Sequence, residues 1–502
     1  MIFLVLFSVL LGVWNCRSQM ILNDMSWINT CPSECECQYS QSSQMFLSKW
    51  KTENNDEHLI KSAVCVFNNH NIKFTYRLSD DIESITFLQE NDTQTIFTND
   101  ILKHFQKVQS IDLQGSLNSA TVHITNSAFH NLEHLKFLAL QRVDMTGAQK
   151  AFAKLSELEV LYVIHCTIGY LKWEMLDGLL KLKELYLLQS GIKELYGFAF
   201  YGTPELRRLF LSHNDLLSVD ADAFVGLLKL EYLDLSNNQI DHLSGLTFPP
   251  LPHLQWLELK HNPIKVIFPH CFQFLNGTQH LTLGHKQQPV HLMKFSFRGL
   301  YSLKFLHIPN IDNDILIEHM FYDLRALMHL NLQGRIKIIN NRAFNGAHKL
   351  LKKLILHNCQ LQKLYKDSFH GLEVLQVLDL SLNHLQSLEE ETFRHLKSIR
   401  YILLHNNKLK QMPSELFFEN HQLQAISLHG NPWNCSCNMK EWKENIVMSN
   451  YIEPIAENCT NQYNCTEEMV PITDINTSPV CENPVIYKGE ELFTVLKSLN
   501  CP

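Results

Sequence analysis

The chain contains 502 residues, which is too long for one ordinary globular core and indicates either several domains or a repeat array. Hydrophobic residues make up 45% of the sequence and charged residues 19%, a composition that excludes an intrinsically disordered chain. The formal net charge is −8 at pH 7 and no basic stripe is present, so we expect no nucleic-acid partner.

The N-terminus has the pattern of a secretory signal peptide. Residues 1–11 read MIFLVLFSVLL, an apolar run too short to cross a bilayer, and Cys16 and Ser18 provide small side chains for cleavage. No Lys or Arg precedes the run, and the alternative is a buried N-terminal strand or helix. We interpret residues 1–18 as a signal peptide and expect a secreted, extracellular protein.

The rest of the sequence agrees with secretion. No later segment has the roughly 18–20 apolar residues of a membrane span, and no hydrophobic C-terminal tail is present, so we expect no membrane span. Fourteen cysteines favour an oxidising compartment. Of six N-x-Ser/Thr sequons, three have a middle Cys, where disulfide formation competes with glycosylation. We predict glycans at the other three, Asn91, Asn276 and Asn476.

A repeat of the form L-x-x-L-x-L-x-x-N runs through most of the chain. Its spacing is 24 residues from Leu158 onward, with one step of 25 residues. This pattern and period are typical of leucine-rich repeats, and they predict about 14–15 repeats over residues 81–430. The repeats begin at Ile82 (the weakest copy), Val108, Leu135, Leu158, Leu182, Leu206, Leu230, Leu254, Thr278, Leu303, Leu327, Leu351, Leu375, Ile399 and Leu423.

Each repeat predicts one strand and one returning segment. The L-x-L alternation turns the leucines inward and the intervening residues outward, and one repeat cannot bury its own apolar face. We therefore predict an α/β solenoid, a horseshoe with a parallel β-sheet on its concave side. Between Thr278 and Arg335 the consensus Asn is replaced by Lys286, Ile311 and Arg335, which favours a locally irregular stack over a functional kink.

Cysteine-rich segments flank the repeats. Cys31-Pro-Ser-Glu-Cys35-Glu-Cys37 and then Cys65 precede them, and Asn431-Pro-Trp433-Asn-Cys435-Ser-Cys437 follows the last one. These residues resemble the end caps of the extracellular leucine-rich-repeat superfamily, which includes Toll ectodomains, Slit, chaoptin, the acid-labile subunit and secreted immune proteins of insects. The resemblance implies disulfide-linked caps over residues 19–80 and 431–502.

The resemblance also implies a disulfide pattern, because six cysteines alone allow 15 connectivities. The implied pairs are Cys31–Cys37 and Cys35–Cys65 at the N-terminal end, and Cys435–Cys481, Cys437–Cys501 and Cys459–Cys465 at the C-terminal end.

Three cysteines lie inside the repeats. Cys166 and Cys359 occupy the position of the consensus Asn, and Cys271 occupies a small position that is Ala in other repeats. Thirteen cysteines remain after removal of residues 1–18, and this odd number allows a disulfide-linked dimer. The register favours buried free thiols instead.

The outward strand positions suggest a binding surface on the concave face. Large apolar and aromatic side chains occupy them in consecutive repeats, and such an exposed row typically marks an interaction site. The alternative is scattered aromatic residues favoured by β-propensity alone. The predicted partner-binding residues are Phe137, Val160, Tyr162, Ile164, Tyr186, Leu188, Phe210, Tyr232 and Trp256.

Histidines dominate the outward positions of the later repeats. They are open to three interpretations: surface polarity without a joint role, which we favour, pH sensing near pH 6–6.5, and transition-metal binding. No carboxylate or Cys accompanies them at ligand spacing, so the sequence predicts no metal site and no cofactor. These residues are His280, His307, His329, His357, His405 and His429.

The sequence indicates a binding protein rather than an enzyme. It contains no G-x-S-x-G, H-E-x-x-H, Walker or dinucleotide-binding motif. The main hypothesis is an extracellular recognition factor, ligand carrier or co-receptor, in innate immunity or cell signalling, that binds a protein ligand or receptor through its concave face. The alternative is a structural protein of the matrix or cell surface that self-associates, so a homo-oligomer is possible under this hypothesis.

Overall fold

A computed structural model describes most of the chain. The described residues are 26–41, 59–68, 72–90, 94–117, 122–220, 222–245, 247–347, 349–413, 415–439, 452–454, 458–461, 464–466, 469–471 and 478–499. The predicted signal peptide lies outside these residues. Within them, no helix has the length and apolar character needed to cross a bilayer.

One long sheet runs through the molecule. Its 17 strands are parallel, except that the first pairs antiparallel with the second, and each strand of the repeats lies beside the strand of the next repeat. From residue 84 onward it forms a solenoid of 15 turns, as the repeat predicts. The strands are Cys35–Gln41, Leu59–Phe67, Ser84–Gln89, Ser110–Gln114, Phe137–Gln141, Val160–Ile164, Glu184–Leu188, Arg208–Phe210, Tyr232–Asp234, Trp256–Lys260, His280–Gly284, Phe305–Asp312, His329–Arg335, Lys353–Ile355, Val377–Asp379, Tyr401–Leu403 and Ala425–Ser427.

In most turns a second, short strand follows the strand of the long sheet. These short strands pair with one another in parallel groups of two or three. They are Thr95–Phe97, Val122–Ile124, Val143–Asp144, Tyr170–Leu171, Glu194–Leu195, His242–Leu243, Val266–Ile267, His291–Leu292, Ile315–Leu316, Ile338–Ile339 and Lys363–Leu364. The C-terminal region adds Trp433–Asn434, Ile452–Pro454, Asn458–Asn461, Asn464–Thr466, Met469–Pro471 and Cys481–Asn483. Among the described residues the α-helices are Ser26–Asn29, Trp173–Leu176 and Leu492–Ser498, and the 3-10 helices are Ile72–Arg77, Asn99–Ile101, Cys437–Met439 and Val485–Tyr487.

A column of phenylalanines fills the core beneath the sheet. From Phe200 to Phe417, one Phe per turn stacks on the next, with ring centroids 5.7–6.4 Å apart. The short helix Trp173–Leu176 separates this column from the stacked pair Phe129 and Phe152, because Met175 and Leu176 fill the corresponding space. Packing between successive turns therefore supplies the apolar burial that a single repeat lacks.

A second column consists of buried asparagines that join neighbouring turns. Asn238 is 1% exposed, and its Nδ2 donates to the carbonyl oxygens of Leu211 at 3.0 Å and Leu235 at 3.0 Å. Its Oδ1 accepts the amide of Leu216 at 3.2 Å. The same bonds recur in the other consensus repeats, so buried backbone groups obtain their partners from the next turn. The members of this column are Asn214, Asn238, Asn262, Asn383, Asn407 and Asn431.

Where the consensus Asn is missing, additional backbone pairing between strands joins neighbouring turns. The strands Phe305–Asp312 and His329–Arg335 are longer than their neighbours and continue past an irregularity, so that Ile311 pairs with Gly334. Gly334 has a φ of +118°, and a Cβ there would collide with the backbone of Ile311. The stack is therefore locally irregular, and the side chain of Ile311 is buried as an apolar replacement for Asn.

Disulfides lie at both ends of the solenoid. Cys31 is bonded to Cys37, Cys35 to Cys65 and Cys435 to Cys481, which are pairs that the resemblance implies. Beside the last of these bonds, the indole of Trp433 is fully buried, and its nitrogen donates to the carbonyl oxygen of Leu428 at 3.0 Å. The ends of the apolar core are thus covered by cross-linked segments.

Some predictions at the C-terminal end and at the sequons stay open. Cys437 is disulfide-bonded, and its predicted partner Cys501 lies outside the described residues. Cys459 and Cys465 face each other in the backbone register of two antiparallel strands, but their side chains are outside the described part of the chain, so their bond stays a prediction. Of the predicted glycosylation sites, Asn276 is exposed, whereas Asn91 and Asn476 lie outside the described residues.

The three cysteines of the repeats are unpaired and buried. Cys166 takes the place of an Asn in the column, because its thiol lies 3.4 Å from the carbonyl oxygen of Leu140 and accepts the amide of Val143 at 3.4 Å. Burial raises the pKa of the Cys166 thiol to about 12, and it also raises the pKa of Cys271 and Cys359. These thiols are protonated and inaccessible in the folded protein.

We expect the Asn column to carry a large share of the stability. Asn238→Ala leaves the buried amide of Leu216 without a partner. It also removes one of the two side-chain donors from the carbonyl oxygens of Leu211 and Leu235, and together these losses cost about 1–3 kcal/mol in the free energy of unfolding. Urea denaturation followed by circular dichroism measures this loss. The control is Gln239→Ala, which removes an exposed carboxamide from the adjacent position. Equal losses in the two variants would contradict the bridging role.

We expect the thiols of Cys166, Cys271 and Cys359 not to react with a thiol reagent such as DTNB while the protein is folded, because all three are buried. Unfolding in denaturant without reductant should make them reactive, and peptide mapping identifies the modified positions. Rapid labelling of the folded protein at any of them would show that the burial is wrong.

Candidate binding surface on the concave face

The outward side chains of the early repeats form an apolar cluster of their own. Phe137, Ala139 and Val160 pack with Tyr162 and Tyr186, and this cluster is separate from the solenoid core. The parallel register places these residues in adjacent rows on the concave face of the long sheet. They therefore lie on the predicted face.

The predicted exposure is wrong for three of the nine residues. Phe137 is 6% exposed, Val160 1% and Phe210 5%, so these side chains are buried although they lie outside the core. Adjacent strands are only about 4.8 Å apart, and at this spacing flat rings cover one another. The other predicted residues are partly exposed: Tyr162, Ile164, Tyr186, Leu188, Tyr232 and Trp256.

The rings form a continuous stack across five turns. The centroids of Tyr162 and Tyr186 are 4.1 Å apart with an interplanar angle of 7°, and those of Tyr186 and Phe210 are 4.3 Å apart at 6°. Phe137 extends the stack at one end, with 5.5 Å to Tyr162, and Tyr232 at the other, with 4.9 Å to Phe210. We call these five residues the aromatic ridge.

A partly buried ion pair lies beside the aromatic ridge. Glu184 is 5% exposed and forms a salt bridge with Arg208 on the next strand. The hydroxyl of Tyr186 donates to Glu184 Oε2 at 2.8 Å. Burial is the main cause that raises the pKa of Tyr186, followed by the neighbouring Tyr162 and Glu184, so this hydroxyl remains a donor at physiological pH. The pair fixes the orientation of the central ring of the ridge.

A second aromatic stack lies on the same face in the following turns, and the sequence interpretation missed it. The ring centroids of Trp256 and His280 are 3.6 Å apart, and those of His280 and Phe305 are 4.8 Å apart. Phe305 lies two residues after the start of its repeat, so the repeat register predicts its outward position. The structure thus assigns His280 to ring packing.

The interpretation of the concave histidines as sensors near pH 6–6.5 is wrong for three of them. Burial lowers the pKa of His280 and of His405 to about 4, and it lowers the pKa of His307. The rings of His405 and His429 stack with centroids 4.6 Å apart. No metal-binding group among the described residues includes a concave histidine.

The lowered pKa values have a consequence for stability in acid. Between about pH 6.5 and about pH 4 the unfolded chain binds protons at His280 and His405 that the folded chain does not, so the free energy of unfolding decreases as the pH falls. The double variant His280→Gln/His405→Gln should lose less stability between about pH 7 and about pH 5, measured by urea denaturation. The exposed-site variant His253→Gln should behave like the wild type. Identical losses in all three proteins would exclude this contribution.

Family models match most of the solenoid. A leucine rich repeat model matches several overlapping segments, and a model of the BspA type leucine rich repeat region with six copies matches residues 69–206. Together the matches cover more than half of the chain. The segments of the first model are residues 181–240, 204–264, 229–288, 349–409 and 383–432. No curated protein sequence matches the chain.

Solved structures with the same architecture include a TLR13–ssRNA13 complex, with 23% identity over 76% of this chain and a TM-score of 0.55. The Toll–Spatzle complex of Drosophila has 16% identity over 81% of this chain and a TM-score of 0.54. This chain covers 56% of the length of each of those two chains.

A leucine-rich-repeat protein of Leptospira interrogans has 22% identity over 71% of this chain and 86% of its own, with a TM-score of 0.52. These likenesses show the fold. Together with the family models and the disulfides at both ends, they lead to one conclusion: the chain belongs to the leucine-rich-repeat family.

Proposed function

We propose that this protein is a secreted recognition factor that binds a protein ligand through the aromatic ridge on its concave face. The observation that carries the proposal is the position of the ridge. Its rings pack against one another outside the core, so the stacking of the repeats does not account for them. A cluster of aromatic side chains on a concave surface is the typical composition of an energetic centre in a protein interface.

The packing of the ridge favours tight binding. Tyr162 and Tyr186 are held by parallel stacking, and Tyr186 is also held by its hydrogen bond to Glu184. Side chains that are already ordered lose little conformational entropy when a partner binds. Their partly exposed edges combine apolar surface with hydroxyl groups, so they can anchor a peptide or a folded protein surface.

The charges near the ridge favour a protein over a nucleic acid. Arg208, a cation on these strands, is already paired with Glu184. The next strand carries Asp234 at an outward position, and this carboxylate would repel a phosphate backbone. The TLR13–ssRNA13 complex thus shares the fold with this chain, whereas the charges here support a protein partner.

An extracellular role follows from the same proposal. The disulfides at both ends suit an oxidising compartment, and the Toll–Spatzle neighbour is a complex described as a hub in development and innate immunity. By analogy of fold, we place this chain among extracellular factors that bind a ligand in immune or developmental signalling. The proposal assigns no catalytic activity, because the ridge offers apolar contacts rather than a nucleophile with its base.

A matched pair of variants tests the proposal. The ridge variant replaces the partly exposed ridge residues Tyr162 and Tyr232, and Trp256 of the adjoining stack, with Ala. The control variant replaces two Tyr and one Trp that are exposed elsewhere, at Tyr170, Tyr201 and Trp173, which are 49%, 66% and 49% exposed. Both variants remove two Tyr and one Trp, so a difference between them in binding reports the location of the binding surface.

The measurement begins with affinity capture from native extracellular fluid and mass spectrometry of the bound proteins. The dissociation constant of each captured protein is then measured for the wild type and both variants. We expect the ridge variant to bind at least about 100-fold more weakly and the control variant to bind normally, because buried aromatic anchors contribute about 1–2 kcal/mol or more each. Equal binding by the ridge variant would contradict the proposal. Capture of the chain itself alone would support the self-associating structural protein instead.

A further inference from the structure

Three metal-ligating side chains converge at a position away from the concave face. Asp367 and His370 belong to the turn that follows the short strand Lys363–Leu364, and His395 belongs to the corresponding turn of the next repeat. The Nδ1 of His370 lies 3.5 Å from the Nε2 of His395, which in turn lies 3.1 Å from Oδ1 of Asp367. Among the residues that the structure describes, this is the one group in which three such atoms lie within 4.8 Å of one another.

We propose that Asp367, His370 and His395 bind a zinc ion. In a tetrahedral site with Zn–N and Zn–O bonds of about 2.0–2.1 Å, neighbouring ligand atoms lie roughly 3.3–3.4 Å apart. The two distances above, 3.5 Å and 3.1 Å, bracket this value. Two imidazoles and one carboxylate are a common ligand set for zinc, and water completes the fourth position.

The backbone around the site is held by the core. Ser368 and Phe369 lie between the two ligands of the first turn and are fully buried. The hydroxyl of Ser368 donates to the carbonyl oxygen of Ile339 at 2.7 Å, and the ring of Phe369 stacks on Phe393 with centroids 6.0 Å apart. The ligands therefore project from rigid turns, and zinc binding requires little rearrangement of the backbone.

Arg394 is the group that a zinc ion has to displace. Its Nε donates to Nε2 of His395 at 3.1 Å, and its Nη2 donates to Oδ1 of Asp367 at 2.8 Å. The same guanidinium also reaches Glu391, with Nη1 2.8 Å from Oε2. Arg394 is 37% exposed on its side chain, so it can leave the ligands and keep Glu391 as its partner. The arginine lowers the zinc affinity without abolishing it.

The other histidines of the described chain lack this arrangement. His242 pairs with Asp241 at 2.6 Å and His123 pairs with Asp144 at 2.9 Å, and neither pair has a third ligand within reach. On the concave face the rings of His280 and His405 are stacked on neighbouring rings. With 26 histidines the chain will bind additional zinc weakly, but the converging group provides the tightest site.

Isothermal titration of the full-length protein with ZnCl₂ tests the proposal. We expect one equivalent to bind more tightly than the rest. Asp367→Asn, His370→Gln and His395→Gln should each weaken this equivalent at least about tenfold, because a three-ligand site loses one ligand. Arg394→Ala should bind zinc a few-fold more tightly than the wild type, because the competing cation is gone. Co²⁺ in place of zinc should give the visible absorption of a tetrahedral ion.

The control is His242→Gln, which removes a histidine from a two-member His–Asp pair and should leave the tight equivalent unchanged. Thermal unfolding without metal shows whether each variant is folded before titration. The proposal is overturned if none of the ligand variants weakens the tight equivalent, or if His242→Gln weakens it as much. It is equally overturned if Arg394→Ala binds zinc less tightly than the wild type, since the guanidinium would then belong to the site.

Discussion

The solenoid depends on the hydrogen bonds by which a buried Asn side chain bridges two neighbouring turns. Each column Asn donates to the preceding turn and to its own strand, while its oxygen accepts an amide of the preceding turn. These bonds form only if each turn brings its Asn beside the Asn of the preceding turn. This requirement keeps the period near 24 residues. The constant period fixes which side chains face outward, and it thereby builds the concave surface one row at a time.

Much of the fold was predictable, because the repeat encodes its own register. Alternating leucines predict the strand faces, and Cys166 shows that even a departure from the consensus can be interpreted, since a thiol makes the contacts of the missing amide. The degree of exposure on the concave face was not predictable. The burial of Phe137, Val160 and Phe210 results from rings on neighbouring strands that cover them, which depends on distances rather than on the pattern. Stacking between Trp256 and Phe305 likewise buries His280 and lowers its pKa.

The repeat pattern alone brings the residues of the aromatic ridge together, but it does not predict the histidine–aspartate group. Ridge residues occupy equivalent positions of successive repeats, so the register alone brings them together. The group of Asp367, His370 and His395 combines non-equivalent positions, because Asp367 and His395 are separated by 28 residues rather than by one period. Their convergence depends on the path of the turns, and it became visible only with the side chains in place.

The interruption of the Asn column has a consequence for how this molecule can change over evolutionary time. In the regular turns a single side chain satisfies several buried backbone groups, so replacing that Asn costs stability. Between Phe305 and Arg335 the backbone of two long strands joins the turns instead, and an isoleucine and an arginine occupy the position of the consensus Asn. The exposed position of Arg335 can therefore accept new surface side chains at little risk to folding, whereas Ile311 is buried and Gly334 has no room for a Cβ.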